Sequence, residues 1–368
     1  MKFTLKRETL LRPLQSVTGV VERRQTLPVL ANLLIEADAT GVSLTGTDLE
    51  VEMVARCDVS VDVEGSATIP ARKLADIWRA LPDDSDVTVS VEGDKAVVRS
   101  GRSRFSLATL PATDFPRFEG GDTEVSVEIA QQSLRSSIDR VAFAMAQQDV
   151  RVFLNGMLLE IGTDYLRTVA TDGHRLAMNS VACAVSLGSQ ESKQAIVPRK
   201  AVMELGRLLD DENQDVKLLL GTNHLRVTKG PFTLTTKLVD GQFPDYQKVV
   251  PRDTSRTLIG DKESLRNGFQ RASILSNEKY RGVRLLISPD QLVMQANNPE
   301  QEEAEETVAV SFNGDELEIG FNVSYLLDVL NAIDSDTIKL KVSDANSSAL
   351  IESQDDDEAL YVVMPMRL

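Results

Sequence analysis

The sequence predicts an α+β protein of three repeated domains, each with two helices packed on antiparallel sheets. The first observation behind this prediction is a repeated motif: ATDGHRLAM at 170–178 has a weaker counterpart, GTDLEVEM, at 46–53. Asp48 and Asp172 lie 124 residues apart, and a third counterpart, ANNPEQEE, begins at Ala296. A fixed period of this length indicates a structural unit repeated along the chain.

The second observation is a helix near the start of each repeat. Apolar residues stand at i, i+4 and i+7, the spacing of one helical face. The three triads are Leu10, Leu14 and Val17; Leu134, Ile138 and Val141; and Leu265, Phe269 and Ala272. Because the spacing is kept in all three repeats, we expect each triad to face a core.

A second helix follows in each repeat. Its apolar faces are Leu74, Ile77 and Leu81; Val202, Leu205 and Leu209; and Leu326, Leu330 and Ile333. Pro70 and Pro198 stand where the first two of these helices should begin, a position where proline loses no needed hydrogen bond.

The third observation is alternation of apolar and polar residues after each second helix, as in 87–91, 216–220 and 338–342. This pattern is typical of antiparallel strands with one buried face. Each repeat is therefore predicted to run strand, helix, three or so strands, helix, three strands.

The predicted domains are 1–122, 126–250 and 253–368, each of ordinary domain size. The segments 119–124 and 251–255 are the expected linkers.

Composition narrows the class of protein. The chain has 368 residues and a net charge of −16, which argues against an ordinary wrap-around nucleic-acid binder. It does not exclude positive charge gathered on one surface. We find no apolar core of signal-peptide length and no run long enough to span a membrane, so we expect a cytoplasmic protein. Cys57 and Cys183 are expected to be buried free thiols.

Basic residues recur on the polar sides of the helices. Arg72, Lys73 and Arg79 match Arg199, Lys200 and Arg207, and Arg135 and Arg140 match Arg266 and Arg271. The third repeat departs from this pattern, with Ser324, Asp328 and Asn331 on its second helix. Ordinary solubilising charge is one interpretation. The other is a ring lined by these helices, whose positive hole would attract duplex DNA without reading its bases.

A chain of such repeats leaves an unpaired strand edge at each end, and such edges must be covered. Head-to-tail pairing of two copies would cover both edges and close a ring. The residues predicted for this dimer interface are Phe105, Leu107, Ile274, Leu275, Glu302 and Glu303. A solvated acidic face is the alternative interpretation of the glutamates.

Long segments of the chain resemble one family, the sliding clamps, which are the β subunits of bacterial replicative DNA polymerase III. The segments include TLPVLANLL (26–34), RSGRSRFSLATLP (99–111), TVATDGHRLA (168–177), KLVDGQFPDY (237–246), ANNPEQEEAEE (296–306) and YVVMPMRL (361–368). The resemblance implies three clamp domains per chain and a head-to-tail homodimeric ring around duplex DNA. It also implies loading by an ATP-driven clamp loader and tethering of replicative and translesion polymerases, ligase and mismatch-repair proteins.

The resemblance further implies two sets of site residues. The pocket for the partners' clamp-binding peptides would use Leu154, Thr171, Gly173, His174, Arg175, Leu176, Pro244, Val249, Asn322, Tyr325, Ser348, Val362, Met364, Pro365, Met366 and Arg367. The DNA contacts would be Arg24, Arg72, Gln148, Val152 and Phe153. Val152 stands where the family often has an aromatic residue, and an aliphatic side chain cannot stack on a base.

The residues themselves support the pocket. Leu154, Leu176 and Val362 are apolar residues near strand ends, and Met364 and Met366 follow near the C-terminus. Methionine suits a site that accepts several peptide sequences. Arg175 and Arg367 are expected to meet polar groups of a peptide. A plain edge strand is the alternative for the methionine-rich tail.

Two other classes of function fit the sequence less well. Asp172, His174 and Ser180 could form a hydrolase triad, but they stand too close along the chain to converge, and no G-x-S-x-G motif is present. His174 and His224 with two scattered cysteines show no zinc spacing, and no phosphate-binding loop occurs. We therefore expect no catalytic residues, metal or cofactor. A scaffold that binds proteins but not DNA is the remaining alternative, and the recurring basic residues count against it.

Overall fold

The first repeat begins with a strand that runs directly into a helix, as the periodicity predicts. The structure, a computed structural model, describes residues 1–22, 27–118, 120–185, 187, 192–210, 214–252, 254–355 and 358–367. The elements of the first repeat are β1 (Lys2–Lys6), α1 (Arg7–Val20), β2 (Asn32–Asp38), β3 (Gly41–Thr47), β4 (Val51–Cys57), β5 (Val61–Val63), β6 (Gly65–Pro70), α2 (Ala71–Ala80), β7 (Asp86–Glu92), β8 (Lys95–Ser100) and β9 (Ser103–Ala108).

The second repeat follows a similar order, with four described strands between its helices where the first repeat has five. Its elements are β10 (Thr123–Ala130), α3 (Gln131–Asp139), β11 (Gly156–Gly162), β12 (Tyr165–Thr171), β13 (Arg175–Ala182), β14 (Ser192–Pro198), α4 (Arg199–Leu208), β15 (Asp215–Gly221), β16 (His224–Lys229) and β17 (Phe232–Lys237).

The third repeat follows the pattern again. Its elements are β18 (Arg256–Asp261), α5 (Lys262–Ala272), β19 (Gly282–Ile287), β20 (Gln291–Asn297), β21 (Glu303–Ala309), β22 (Ser311–Phe312), β23 (Leu317–Asn322), α6 (Val323–Ala332), β24 (Thr337–Val342), β25 (Ala349–Ser353) and β26 (Ala359–Val363). The predicted α+β class, with two helices per repeat on antiparallel sheets, is confirmed across the described residues.

Each repeat has more strands between its helices than the three or so predicted. The additional strand that all three repeats share is the one that leads into the second helix: β6, β14 or β23. It pairs with β2, β11 or β19 respectively. This segment becomes a strand through its pairing with another strand, because its own sequence has little regular alternation of apolar and polar residues. GSATIP, for example, begins with small and polar residues. The first and third repeats also have a short further strand, β5 or β22.

The apolar helix faces are buried as predicted. Leu10, Leu14 and Val17 are fully buried, and the matching triads of the other two repeats are buried too. One detail differs: Ile77 is only half-buried, because the neighbouring Trp78 takes the core position on α2. The Trp78 indole Nε1 donates a hydrogen bond to the backbone oxygen of Arg7 at 3.0 Å, which satisfies its polar group inside the core.

The chain forms two compact units, Met1–Arg135 with Lys200–Leu238 and Ser136–Arg199 with Val239–Leu368. The first unit contains a five-stranded sheet, β5-β1-β7-β8-β9, and an eight-stranded sheet, β10-β15-β16-β17-β4-β3-β2-β6. The second unit contains a nine-stranded sheet, β14-β11-β12-β13-β26-β25-β24-β18-β22, and a four-stranded sheet, β21-β20-β19-β23.

One pairing rule joins the repeats within these units. In the first unit β4 pairs with β17, and in the second unit β13 pairs with β26, both antiparallel. The third strand after the first helix of one repeat therefore pairs with the last strand of the next repeat. The strands left over by this rule are β9 and β21, and each has one strand neighbour among the described residues.

Both cysteines are buried free thiols, as predicted. Burial, with a smaller contribution from Asp58, raises the pKa of the Cys57 thiol to about 11. The thiolate is the reactive form of cysteine, so Cys57 is unreactive at neutral pH. Of the described helices, none has the length and apolar content that crossing a membrane requires.

Candidate functional site

A cavity of about 250 Å³ opens beside the turn that joins β12 to β13 in the second unit. The predicted pocket residues that line this cavity are Leu154, Thr171, Gly173, His174, Arg175, Leu176, Pro244, Val249, Val362 and Met364. Arg151, Phe153 and Tyr246 complete the lining. The structure therefore brings together residues from the second and third repeats that lie up to 213 positions apart in the sequence.

The turn itself is held by hydrogen bonds of its own side chains. The Thr171 hydroxyl donates to the backbone oxygen of Arg175 at 2.6 Å and accepts from the backbone N–H of Gly173 at 3.1 Å. Asp172 accepts from the backbone N–H groups of His174 and Arg175 at 2.9 and 3.0 Å. Gly173 has a φ of +90°, a region where residues with a Cβ are strained. The motif TDG thus builds one rim of the cavity.

Strand pairing provides the apolar floor. In the β13–β26 register Leu176 lies opposite Val362, and both are buried. The buried cluster around them is Leu158, Val169, Leu176, Ile196, Phe243, Tyr246, Leu350 and Val362. Phe153 and Val249 pack against this cluster and are only partly buried. Apolar surface that remains open above a packed core is what a peptide's apolar side chains can cover.

The Arg175 guanidinium forms hydrogen bonds and ring contacts with other residues of the chain. Its Nε donates to Asp172 at 3.1 Å, Nη2 donates to the backbone oxygen of Phe143 at 2.9 Å, and Nη1 bonds Asp328 on α6. Its guanidinium also lies 5.1 Å from the Phe143 ring and 4.6 Å from the Tyr325 ring. The hydrogen bonds engage three of its five N–H donors inside the protein, and the residue also lines the cavity, so its contact with polar groups of a peptide stays a prediction. Arg175 ties the turn to α6.

The C-terminal residues divide between two cavities. The backbone N–H of Met364 donates to His174 O, and that of Met366 donates to Gly320 O, both at 2.9 Å. Met364 lines the pocket beside the turn. Met366 and Arg367 line a separate cavity of about 600 Å³ together with residues of β19, β20 and β21. The predicted set of tail residues is thus split by the course of the tail.

The remaining predicted pocket residues lie outside the lining. The Tyr325 ring stacks on the His174 ring with centroids 6.3 Å apart, so it borders the rim. Asn322 caps α6 by accepting from the backbone N–H of Ser324 at 2.9 Å. Ser348 and Pro365 are half-buried.

The predicted DNA contacts lie in several places. Arg24 lies outside the described residues. Arg72 is exposed on α2 and donates to the backbone oxygen of Val21 at 3.2 Å. Gln148 is exposed, and Val152 is 56% exposed a few residues further along. Phe153 is half-buried and lines the pocket, so this residue is shared between the two predicted sets.

Acidic partners neutralise part of the basic pattern on the helices. Lys200 pairs with Glu22 at 3.1 Å and also with Asp48, and Arg207 pairs with Glu204 at 2.5 Å. The recurrence of basic residues therefore serves internal contacts as well as an exposed surface.

Sequence reasoning missed Arg151 and Tyr246 as lining residues. Arg151 donates two side-chain hydrogen bonds to Asp149, at 3.0 and 2.9 Å, and these bonds hold the Asp149 pKa at about 2. Tyr246 is buried in the corner QFPDY. An aromatic residue two positions after Pro244 was the available signal, because large aromatic side chains tend to bury their rings and to find a hydrogen-bond partner for the hydroxyl.

A cavity with apolar walls and a few polar groups at its rim is typical of a ligand-binding site, and apolar grooves on other proteins accept segments of partner chains. Comparison with known proteins agrees. The family models of the DNA polymerase III β subunit match residues 1–119 (N-terminal domain), 128–245 (central domain) and 247–367 (C-terminal domain).

Full-length relatives and solved structures point the same way. The β sliding clamp of Pseudomonas aeruginosa is 56% identical over 369 residues, and that of Escherichia coli K12 is 51% identical over 370 residues, each covering 100% of both chains. Sliding clamps of Pseudomonas aeruginosa and Bartonella birtlesii, both bound to griselimycin, match with TM-scores of 0.96 at 56% and 38% identity, covering 100% of both chains.

The chain belongs to the DNA polymerase III β-subunit family, the bacterial sliding clamps. Members of this family are processivity factors of DNA polymerase III and are not themselves catalytic.

Proposed function

We propose that two copies of this chain close head to tail into a ring around duplex DNA, and that the pocket beside Gly173 tethers polymerases and other partners to it. Each copy would contribute three domains, 1–122, 126–250 and 253–368, so the ring would contain six domains. The observation that carries this proposal is the pairing rule, because it leaves two strand edges of matching kind, β9 and β21, without a second neighbour in the described chain.

The two edges suit each other. β21 is the third strand after the first helix of its repeat and β9 is the last strand of its repeat, the same combination that pairs as β4–β17 and β13–β26. Joining the five-stranded and four-stranded sheets across two copies would make nine strands, close to the internal sheets of eight and nine. Exposed long edges are otherwise open to aggregation.

The side chains at these edges are complementary. Phe105 and the buried Leu107 lie on β9, beside the exposed Arg104. On the other edge Glu303 is exposed, and the turn Ser273–Leu275 packs against β21 and leaves Ile274 75% exposed. An exposed isoleucine next to an open strand edge favours an interface, since its burial would remove apolar surface from water.

The ring would hold DNA by enclosure. A chain with a net charge of −16 has little prospect of gripping DNA through charge alone, whereas a closed ring needs only weak contacts that let it slide. The exposed Arg72, Gln148 and Val152, with Arg24 and Phe153, are the proposed contacts. We also propose that the protein acts in the cytoplasm, because it would serve a polymerase whose substrate is the duplex DNA under replication.

Partners would dock in the pocket through short peptides. We propose that the clamp loader, replicative and translesion polymerases, ligase and mismatch-repair proteins share it. The griselimycin-bound relatives support a ligand site on this fold, and the cavity beside Gly173, with its apolar floor, is the place that we propose for it in this chain.

Retention on DNA tests the enclosure. Clamp loaded by its loader onto nicked circular DNA should stay bound through gel filtration and leave after the circle is linearised, because only a closed track keeps a ring in place. Equal retention on both forms, or tight binding of the purified protein to a short linear duplex at physiological salt, would overturn it.

A second experiment tests the interface. The double variant Ile274→Asp with Leu275→Asp should halve the mass measured by light scattering, since charge would enter an apolar contact. Val63→Asp is the matched control, because Val63 is also an exposed apolar residue, on edge strand β5 of the five-stranded sheet. A dimeric mass for the double variant would remove these residues from the interface.

A further inference from the structure

Behind the pocket lies a buried polar network centred on Glu160. Its carboxylate accepts hydrogen bonds from the Tyr165 hydroxyl at 2.5 Å, the Tyr246 hydroxyl at 2.8 Å and the Gln194 amide at 2.9 Å. Arg167 donates to the Tyr246 hydroxyl at 2.9 Å and to the Ser180 hydroxyl at 2.8 Å. Glu160 is only 4% exposed, so these partners take the place of water.

The network is ordered by charge. Burial acts to raise the pKa of Glu160, but the hydrogen bonds from Tyr165, Tyr246 and Gln194 outweigh it and lower the pKa below its usual value. Burial, reinforced by Glu160, raises the pKa of Tyr165 to about 12. At neutral pH the centre is therefore a carboxylate surrounded by donors. This fixes the direction of each hydroxyl: Tyr246 must donate to Glu160 while it accepts from Arg167.

One member of the network is also a wall of the pocket. Tyr246 lines the cavity, and it begins the short 3-10 turn Tyr246–Lys248. Pro244 and Val249, on either side of that turn, line the cavity too. The backbone N–H of Val249 donates to Tyr246 O at 3.0 Å, so the position of the tyrosine sets the position of its neighbours.

We propose that Glu160 is a positioning residue for the pocket. Through its bond with the Tyr246 hydroxyl it holds the segment 244–249 at the place where that segment forms one wall of the cavity. Glu160 itself does not line the cavity. This inference rests on the proposed peptide-binding function and adds a residue that determines affinity from behind the binding surface.

The chain supplies a matched control. Glu36 stands 124 residues before Glu160, at the corresponding place on β2 of the first repeat. Its carboxylate instead accepts from Arg117 at 2.6 Å, and its side chain is 32% exposed. Removing its charge breaks a surface ion pair, which has little energetic weight. Glu36→Gln thus makes the same chemical change in the first repeat, away from the pocket.

The test compares griselimycin affinity by isothermal titration calorimetry at 25 °C, with the melting temperature of each variant measured in parallel. Glu160→Gln should weaken binding about tenfold, the effect of one charge-assisted hydrogen bond. The introduced amide cannot accept all the bonds that the carboxylate accepts. Glu36→Gln should stay within about twofold of the parent.

Tyr246→Phe breaks the same bond from the other side and covers the case in which Glu160→Gln folds poorly. Because both changes act through one contact, the double variant should bind no more weakly than the weaker single variant. A variant that melts lower but binds griselimycin with unchanged affinity at 25 °C would show that the network only stabilises the fold, and would overturn the inference.

Leu176→Glu separates this inference from the proposed function. It places a charge in the cavity itself and should abolish binding. If Leu176→Glu loses affinity and Glu160→Gln does not, the positioning role alone fails. If Leu176→Glu also binds normally, the assignment of the pocket fails.

Discussion

The turn between β3 and β4 and the turn between β12 and β13 are built by the same hydrogen bonds. Thr47 donates to Val51 O and accepts from the backbone N–H of Leu49, each at 3.0 Å, as Thr171 does with Arg175 and Gly173. Asp48 likewise accepts from the backbone N–H groups of Glu50 and Val51 at 2.9 and 2.7 Å. The two turns therefore share one backbone, and the difference between them lies in the side chains.

The residue at the tip shows this first. Leu49 has a φ of +79° and Gly173 a φ of +90°. A left-handed backbone costs a leucine about 1–2 kcal/mol, so the first repeat tolerates strain that the second avoids. Leu49 is 40% exposed, whereas the absence of a side chain at Gly173 leaves the cavity open.

The two repeats differ more in the second strand residue after each turn. Leu176 is buried in the pocket floor, while its counterpart Glu52 is buried with its carboxylate accepting from the backbone N–H of Phe118 at 3.0 Å. Burial raises the pKa of Glu52. A carboxylate that depends on such a bond cannot be covered by an apolar ligand without a desolvation cost. The comparison shows that the repeat provides a frame, and that a few side chains make one turn a binding site.

The largest expected effect comes from exchanging these two side chains. Leu176→Glu should weaken griselimycin binding by about 100-fold or more, because a charge would enter the apolar floor of the cavity. Glu52→Leu, the reverse change, should leave the affinity unaltered. Calorimetric titration measures both, and a change in affinity for Glu52→Leu would mean that the first turn also contributes to binding.

An intermediate effect on stability and binding is expected from exchanging Gly173 and Leu49, the residues at the tips of the two turns. A Cβ at position 173 would lie 3.2 Å from Arg151 Nη2 on a backbone with positive φ. Gly173→Leu should therefore destabilise the protein by about 1–2 kcal/mol and weaken griselimycin binding. Leu49→Gly should raise stability by about 1 kcal/mol without affecting binding. Urea unfolding midpoints measure the stabilities, and a lower midpoint for Leu49→Gly would show that the leucine forms contacts worth more than its strain.

The smallest effect concerns the pH dependence of two buried carboxyls. Burial raises the pKa of Glu52 in the folded chain above its unfolded value of 4.5. The contribution of this group to stability is therefore fully present below pH 4.5 and is lost as pH rises through the folded pKa. The pKa of Glu160 is lowered in the folded chain, so its contribution is present above 4.5 and is lost as pH falls through the folded pKa.

Substitution by glutamine should therefore act with opposite signs. At pH 7 Glu52→Gln should stabilise and Glu160→Gln should destabilise the protein, each by about 1 kcal/mol. The difference for Glu52→Gln should shrink as pH falls through the raised pKa of Glu52, where the folded parent takes up a proton. The difference for Glu160→Gln should persist down to pH 4.5 and shrink only below it, because the pKa of Glu160 is lowered in the folded chain. Thermal melts from pH 7 to below pH 4 measure this, and shifts of the same sign for both variants at pH 7 would contradict the assignment of these two environments.

Much of the fold could be predicted because it is written in local periodicity. The helix triads such as Leu10, Leu14 and Val17 hold their spacing in every repeat, and their burial follows from helical geometry. The strands before the second helices, such as β6, were missed because their pairing depends on a distant strand. The pocket was predicted through the resemblance of motifs such as TDG, and the structure gathers most of that set around one cavity.

Some parts of the site could not be read from the chain. Arg175 was predicted to meet a peptide, but its bonds to Asp172, Phe143 and Asp328 were not foreseen, because they depend on α6 of the third repeat packing beside the turn. Tyr246 was missed since its role depends on Glu160, which is 86 positions away. Side chains of this kind take their function from neighbours that only folding supplies.

By itself the amino-acid order determined the number of repeats, the helix faces and the turn chemistry at Thr47 and Thr171, because these depend on residues within a few positions of each other. Tertiary structure alone decided which turn borders a cavity. That choice needs β13 beside β26, with Leu176 opposite Val362, and a carboxylate buried behind Tyr246. Contacts between distant segments depend on packing and desolvation, which local pattern does not encode.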